Sequence, residues 1–383
     1  MTEAALLMME LLKSEIFGSE INEEYKKPIS EEMGKALYAL ARAHDMAPAV
    51  ASALDRSGIL PEGETSEKFK KAMHLAVYRY RVQNAELIAV SELLEEKGID
   101  YMPLKGAVIR KLYPSPWQRT SSDIDILVRP EDLERAAEAI TLELEYEKKG
   151  RTAHDIVLSA PSGASVELHF DLVEEARLPE AADILKSVWE RASLDGGSHR
   201  YSMSDEAFYF YHIAHMAKHF ENGGCGVRPF IDLVLLGEEN GEKREELLAK
   251  GGLLDFAKAA RELCGYWFFS KEASGVISDF SRFILSGGVY GTAENGVAAS
   301  GAKRGKAGYI FSRLFLPFST LKERYPVLKK HPWLMPAMQV RRWLEMVKDK
   351  RLGRSIGELK MNASLDKSRA KQVDEMFRGV GLR

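Results

Sequence analysis

The sequence predicts an α+β fold, with a small mixed sheet and its helices flanked by helical N- and C-terminal regions. Three observations carry this expectation. Apolar residues up to about position 97 recur at helical spacing, the period shortens between Ile99 and Phe170, and helical spacing returns beyond Phe170.

In the N-terminal stretch, Leu6, Leu7, Met9, Leu11 and Leu12 form one stripe, and Val77, Ala85, Leu87, Ile88, Val90 and Leu93 form another. Residues 1–97 therefore read as a helical N-terminal domain. From Gly98 short apolar runs take over: Ile99 to Leu104, Ile124 to Val128, Asp155 to Leu158 and Ser165 to Phe170 read as strands. Pro130 to Leu144 reads as a helix, because Pro130 suits a first turn and Glu131 and Asp132 suit the positive end of the helix dipole. Together these define an α/β core over residues 98–175.

After Phe170 no further strand is expected. Ser204 to Phe220, Pro229 to Leu236 and Leu253 to Phe269 carry helical periodicity, which makes residues 176–286 a helical domain. Residues 287–308 hold seven glycines in 22 positions among many Ala and Ser, too little apolar surface to pack firmly, so they read as a flexible connector. Residues 309–383 form a basic helical C-terminal region, amphipathic over Tyr309 to Leu316 and Trp333 to Val347 and punctuated by Pro317, Pro326, Pro332 and Pro336.

Composition excludes several classes. With 383 residues, 45% hydrophobic and 29% charged, the chain is neither disordered nor fibrous. Cys225 and Cys264 stand far apart without a second pair, which argues against a disulfide framework or a zinc site. The N-terminus has no basic segment of a secretory signal, and nowhere do roughly 18 uncharged apolar residues run together, so a cytoplasmic protein with no membrane span is expected. The net charge of −3 conceals an asymmetry: Lys303 to Arg354 carries 14 Lys or Arg against Glu323, Glu345 and Asp349, a local +11. Such a block suits a polyanion, RNA among them, and equally suits a solvated helical face.

The chemistry concentrates between Lys105 and Val128. In Ser122-Asp123-Ile124-Asp125-Ile126-Leu127-Val128, the period of two places both aspartates on one face and both isoleucines on the other. Adjacent carboxylates repel unless a cation sits between them, and Mg²⁺ prefers carboxylate and phosphate oxygens. By itself this pattern also fits a solvated edge strand. Upstream, Leu104-Lys105-Gly106-Ala107 ends a short strand and opens a helix, where small residues let backbone amides approach a phosphate. Lys105, Arg110 and Arg119 are cations suited to phosphate oxygens. Downstream, Glu167 and His169 share a face opposite Val166 and Leu168, so Glu167 offers a third carboxylate for a two-metal cluster.

Other residues admit two readings. His212, His215 and His219 fall on one helical stripe, which suits metal ligation, a nucleotide or acceptor pocket, or plain packing. His169 reads as a proton-shuttling or a structural histidine. Tyr113 and Trp117 are placed either to stack on a base or to pack, and Arg228 and Asp232, four apart, read most simply as a helix-supporting pair.

The order strand, Gly-small turn, helix, Asp-x-Asp strand, later acidic strand resembles the DNA polymerase β type of nucleotidyltransferase, and Gly106-Ala107-Val108-Ile109-Arg110-Lys111-Leu112 is similar to the corresponding segment of tRNA CCA-adding enzymes. Leu104-Lys105-Gly106, Tyr113-Pro114-Ser115-Pro116, Arg119, Asp123 to Val128 and Val166-Glu167-Leu168-His169 more closely resemble a bacterial family of uncharacterised nucleotidyltransferases. The likeness extends, more faintly, through His215 to His219, Arg228 to Asp232 and Tyr290-Gly291-Thr292. It implies a polymerase-β-type core in which Asp123 and Asp125 hold Mg²⁺ or Mn²⁺ bridging an NTP, with ATP the expected one. Glu167 would bind a second metal or help deprotonate the hydroxyl of an acceptor, with release of pyrophosphate. Lys105, Gly106, Ala107, Arg110, Arg119, His169, His215 and His219 would line the nucleotide. The superfamily usually carries Gly-Ser or Gly-Gly at the turn, whereas Gly106-Ala107 lacks the serine hydroxyl. A catalytically inactive nucleotide- or partner-binding module, and an RNA-directed transferase, are the alternatives.

Overall fold

The computed structural model describes residues 1–383 apart from 153, 173–177, 222, 290, 293, 300–307, 309–310, 312–313 and 349–365. Four helices come first: α1 (Glu3–Phe17), α2 (Glu31–Ala43), α3 (Ala47–Arg56) and the long α4 (Glu64–Glu96). Thr2 and Ser30 cap α1 and α2 by accepting from backbone N–H groups, as short hydroxyl side chains do at free helix ends.

A five-stranded sheet follows, with β1 (Tyr101–Pro103), β2 (Asp123–Val128), β3 (Glu147–Arg151), β4 (Asp155–Ser159) and β5 (Ser165–His169) in the order β1-β2-β5-β4-β3. Only β2 and β5 run parallel, and their register pairs Asp125 with Glu167. Between β1 and β2 lies the short α5 (Gly106–Ile109), and between β2 and β3 lies α6 (Leu133–Glu143), preceded by a 3-10 turn at Pro130–Asp132. Ile124, Ile126, Val166 and Leu168 turn to one face and bury against Leu133, Ala136 and Ile140 of α6 and Val90 and Leu94 of α4. The carboxylates of β2 and β5 occupy the other face.

The helices after the sheet are α7 (Pro179–Lys186), α8 (Asp205–Glu221), α9 (Arg228–Leu235), α10 (Gly241–Lys250), α11 (Leu254–Phe268) and α12 (Gly275–Leu285). They share one apolar interior with the N-terminal helices: Leu7 and Leu11 of α1, Leu54 of α3 and Phe69 of α4 belong to the same cluster as Phe220, Phe256 and Phe280. Near the C-terminus stand α13 (Phe318–Arg324), α14 (Val327–Lys330), α15 (Met335–Lys348) and α16 (Lys367–Gly379). No helix among the described residues is long and apolar enough to cross a membrane.

Three features depart from the sequence expectation. Strands do return after Phe170: β6 (Ala192–Leu194) and β7 (Tyr201–Met203) form a hairpin, each too short and too exposed to show an apolar pattern. β3 (Glu-Lys-Lys-Gly-Arg), not among the expected strands, is wholly exposed and forms the sheet edge, where charged residues disfavour pairing with another chain. Within the glycine-rich stretch read as a connector, residues 294–299 are helical, and Val297, Ala298 and Ala299 are buried, because small side chains admit close packing. Tyr290, much of Tyr309 to Leu316, and Lys303, Arg304, Lys306, Arg313, Lys350, Arg351 and Arg354 of the basic block lie outside the described residues.

The shared interior generates a test. Phe220 is fully buried, with ring centroids 5.0 Å from Phe280 and 5.6 Å from Phe256. Phe220→Ala is expected to destabilise the chain by about 3–5 kcal/mol, read from the urea unfolding midpoint.

Candidate active site

The site begins at the turn between β1 and α5. Leu104 N–H donates to the Asp125 carbonyl at 3.0 Å and Ala107 N–H to the Leu104 carbonyl at 3.0 Å, so the turn is clamped to β2. Its second residue, Lys105, has φ 42 and ψ −113, a conformation that favours glycine. A non-glycine residue there costs on the order of 1–3 kcal/mol and persists where its surroundings hold it. What holds it is Asp125: the Lys105 ammonium donates to Asp125 Oδ1 at 2.7 Å.

Asp125 is almost fully buried and accepts a second charged bond on the same oxygen, from His169 Nε2 at 2.8 Å. His169 Nε2 also lies 3.5 Å from Glu167 Oε2. Burial alone would raise the Asp125 carboxyl, but Lys105 and His169 outweigh it and hold it well below the usual carboxylate range. His169 shows the converse: burial would lower it, and hydrogen bonds to Asp125 and Glu167 instead raise it to about 9. Asp123 accepts from Ser121 Oγ at 3.1 Å and Ser122 Oγ at 3.0 Å, and its carboxyl is pushed up by burial and by repulsion from Asp125 and Glu167.

This donor set fits a divalent cation. One ligand atom each from Asp125, Glu167 and His169 lie within 4.8 Å of one another, and Asp123 is close enough to feel both other carboxylates. The cluster joins two of the expected carboxylates, Asp125 and Glu167, to His169, and Asp123 stands beside it two residues earlier on β2.

The arginines divide. Arg119 is buried with its fork on Asp232, Nη2 to Oδ2 at 2.8 Å and Nε to Oδ1 at 3.3 Å, and Tyr113 donates its hydroxyl to the same carboxylate at 2.7 Å. The expected Arg228–Asp232 helix pair is therefore absent. Asp232 is turned into the interior of α9 towards Arg119, while Arg228 Nη1 reaches Asp45 Oδ2 at 2.8 Å. Arg110 differs from Arg119. It is buried, it donates to the Gly106 carbonyl at 2.8 Å and to Gln83 Oε1 at 3.3 Å, and it has no carboxylate partner among the described residues. Burial, followed by repulsion from Arg119, pushes it down to about 10.

Gly106 makes this convergence possible, since a Cβ there would lie 2.8 Å from Arg119 Nη1 and 3.4 Å from Arg110 Nη2. Ala107, beside it, is buried. The histidine stripe of α8 faces the same region. His215 and His219 stack edge to face at 4.6 Å, and burial, with Lys105 and His219, pushes His215 well below its ordinary value. They line a cavity of ≈ 220 Å³ together with Lys105, Asp123 and Asp125. His212 lines this cavity as well, with its Nε2 fixed to the Pro229 carbonyl at 2.9 Å. Tyr113 packs in the interior, and Trp117 lines a larger, adjoining cavity.

Ser121, Ser122, Gln83 and Asp45 were not singled out by sequence reasoning. Ser121 and Ser122 directly precede Asp123, a position that signals hydroxyl contacts to its carboxylate; Gln83 on α4 and Asp45 in the turn between α2 and α3 are distant in sequence and carry no comparable signal.

A small mixed sheet gathering carboxylates beside a basic turn is consistent with a nucleotidyltransferase-like domain. Residues 30–269 match the family model described as uncharacterised nucleotidyltransferase, and the chain belongs to that family. No curated protein and no solved structure matches the chain significantly.

Two outcomes follow from this geometry. Asp232→Ala leaves Arg119 buried without its partner and is expected to destabilise the fold by about 3–5 kcal/mol in urea unfolding. For His169, the folded value of about 9 exceeds the ordinary 6.5, so its protonation contributes stability that is fully present below pH 6.5 and is lost as pH rises through 9. In chelator-treated protein the wild-type thermal midpoint should fall across that window more steeply than that of His169→Gln; equal slopes would show that the ring carries no charge in the fold.

Proposed function

We propose that the chain is a metal-dependent nucleotidyltransferase of the DNA polymerase β type, moving a nucleoside monophosphate from an NTP, with ATP the expected donor, to a hydroxyl acceptor. The observation that carries this reading is the register that sets Asp125 beside Glu167 on parallel strands, with Asp123 two residues away and Lys105 reaching in from the turn.

Asp123, Asp125 and Glu167 would hold Mg²⁺ or Mn²⁺, which when bound neutralises phosphate charge and polarises the reacting phosphoryl group. The acceptor oxygen forms its bond to the α-phosphorus, the bond from that phosphorus to the bridging oxygen breaks, and pyrophosphate leaves. Glu167, partly exposed on the face shared with His169, is placed to take the proton of the acceptor hydroxyl. Lys105 and Arg110 orient the phosphates, and the absence of a side chain at Gly106 leaves room for the Arg110 guanidinium beside the turn. Buried surroundings strengthen each of these charges by excluding water.

The described part of the C-terminal basic block gives the RNA-directed alternative no added support. Arg324 and Arg341 both pair with Glu345, and Arg342 donates to the Leu314 carbonyl, partners expected of a folded helical face.

Incubation with each α-labelled NTP, Mg²⁺ and cell extract should transfer label to an acceptor, with Asp125→Ala slower by at least about a hundredfold, on the scale of losing one transition-state contact. Persistent absence of labelled acceptor, with the two proteins alike, would leave a non-catalytic module as the function.

A further inference from the structure

Two cavities meet at the acidic strands, sharing Arg119, Ser121, Ser122 and Arg228, and they differ in size and charge. The histidine-lined one holds ≈ 220 Å³, below the roughly 300–1,000 Å³ usual for small-molecule sites, whereas its neighbour holds ≈ 930 Å³. Only the larger has room for a whole nucleoside triphosphate. Its walls come from α2, α4 and the segment around Arg119, so much of it is built by helices outside the sheet.

The larger cavity is strongly cationic. Lys68, Arg119 and Arg228 line it with their charges already matched by Glu64, Asp232 and Asp45. Arg42, Lys71, Arg79 and Arg110 line it too, and none of these four forms a salt bridge among the described residues. Among the described residues of the lining, Asp45 is the only acidic one. Four unmatched cations around one cleft, one of them buried, repel one another unless an anion of comparable charge sits between them.

Placement on α4 extends the argument. Lys68, Lys71, Leu75, Arg79 and Gln83 all line the cavity, at successive steps of three or four residues that keep them on one helix face. At the end of that row, Gln83 donates to the Ser121 carbonyl at 3.0 Å and accepts from Arg110, tying the row to the edge of the acidic cluster. Arg79 stands one turn, about 6 Å, further along the helix axis. Trp117, Tyr38 and Tyr80 supply aromatic surface in the same cleft.

We propose that this cleft seats the nucleotide, with Arg42, Lys71 and Arg79 of the N-terminal helices joining Arg110 to grip its polyphosphate, and that the smaller histidine-lined cavity receives the acceptor hydroxyl. The assignment rests on the nucleotidyltransferase reading for the identity of the ligand. Its cationic character is independent of catalysis. An arginine in place of the missing serine hydroxyl at Gly106-Ala107 also explains how a turn without that hydroxyl holds a triphosphate, since guanidinium groups bind phosphate oxygens in bidentate fashion.

The test uses the full chain, treated with chelator so that no metal bridges the ligand, and measures binding of inorganic tripolyphosphate and of ATP by titration calorimetry. Combining Arg42→Ala, Lys71→Ala and Arg79→Ala, all at exposed positions, should leave the fold intact by circular dichroism and weaken both ligands by at least about tenfold. Binding should also weaken as salt is raised. Unchanged affinity in the folded triple variant overturns the assignment, and unchanged affinity with slowed label transfer would give the cleft to an anionic acceptor instead. If label transfer is never seen but tripolyphosphate binding is strong and lost in the triple variant, the catalytic reading fails and the cleft stands as a polyphosphate site. If transfer depends on Asp125 but polyphosphate affinity ignores the three cations, the reverse holds.

Discussion

The buried carboxylate of Asp125 is the constraint around which the site is arranged. Removing an ionised carboxylate from water is tolerable only when charged partners replace its hydration, and here one oxygen accepts from both Lys105 and His169. Satisfying Asp125 fixes two further elements. Lys105 reaches it by taking a backbone conformation suited to glycine, which sets the turn that opens α5, and His169 reaches it from β5, which leaves its neighbour Glu167 on the same face. The acidic cluster and the turn that opens α5 thus answer one electrostatic requirement.

A second buried charge anchors that arrangement to the helices. Asp232 on α9 accepts from Arg119 and Tyr113, which flank the turn and the Asp-x-Asp strand in sequence but lie more than a hundred residues from it. The ion pair does more than tie α9 to the sheet. It occupies the Arg119 fork, while Arg110 has no carboxylate partner among the described residues, so two neighbouring arginines acquire different capacities for an outside anion.

The parts of this that sequence reveals are those set by local period and residue type. Asp123, Asp125, Glu167 and His169 sit on strands whose alternation is plain, and their common face follows from a period of two. The turn at Gly106 shows itself through small residues. What escapes is long-range pairing: Asp232 is four residues from Arg228 and looks like its helical partner, and nothing local says that the side chain points inward to Arg119. β6, β7 and the exposed β3 escape for a different reason, since three-residue strands, and one with four charged residues in five, owe their existence to the neighbour they pair with rather than to their own pattern. Likewise, periodicity identifies the N-terminal and later helices but not that their apolar faces share one interior.

That shared interior explains how a cationic wall comes to stand opposite an acidic sheet. The apolar residues of α4 commit it to two clusters, Phe69 to the large helical interior and Val90 and Leu94 to the sheet, so the helix is held across the boundary between them. Its polar face between those anchors, bearing Lys71, Arg79 and Gln83, must then look into the space beside the Gly106 turn. Lys71 and Arg79 stay exposed there, so hydrophobic burial at both ends of α4 fixes where the charges stand without taking them out of water. On the nucleotide-binding reading, the packing of the N-terminal helices is therefore part of the site: a chain with the sheet alone would keep its carboxylates and lose much of the positive charge that a triphosphate needs.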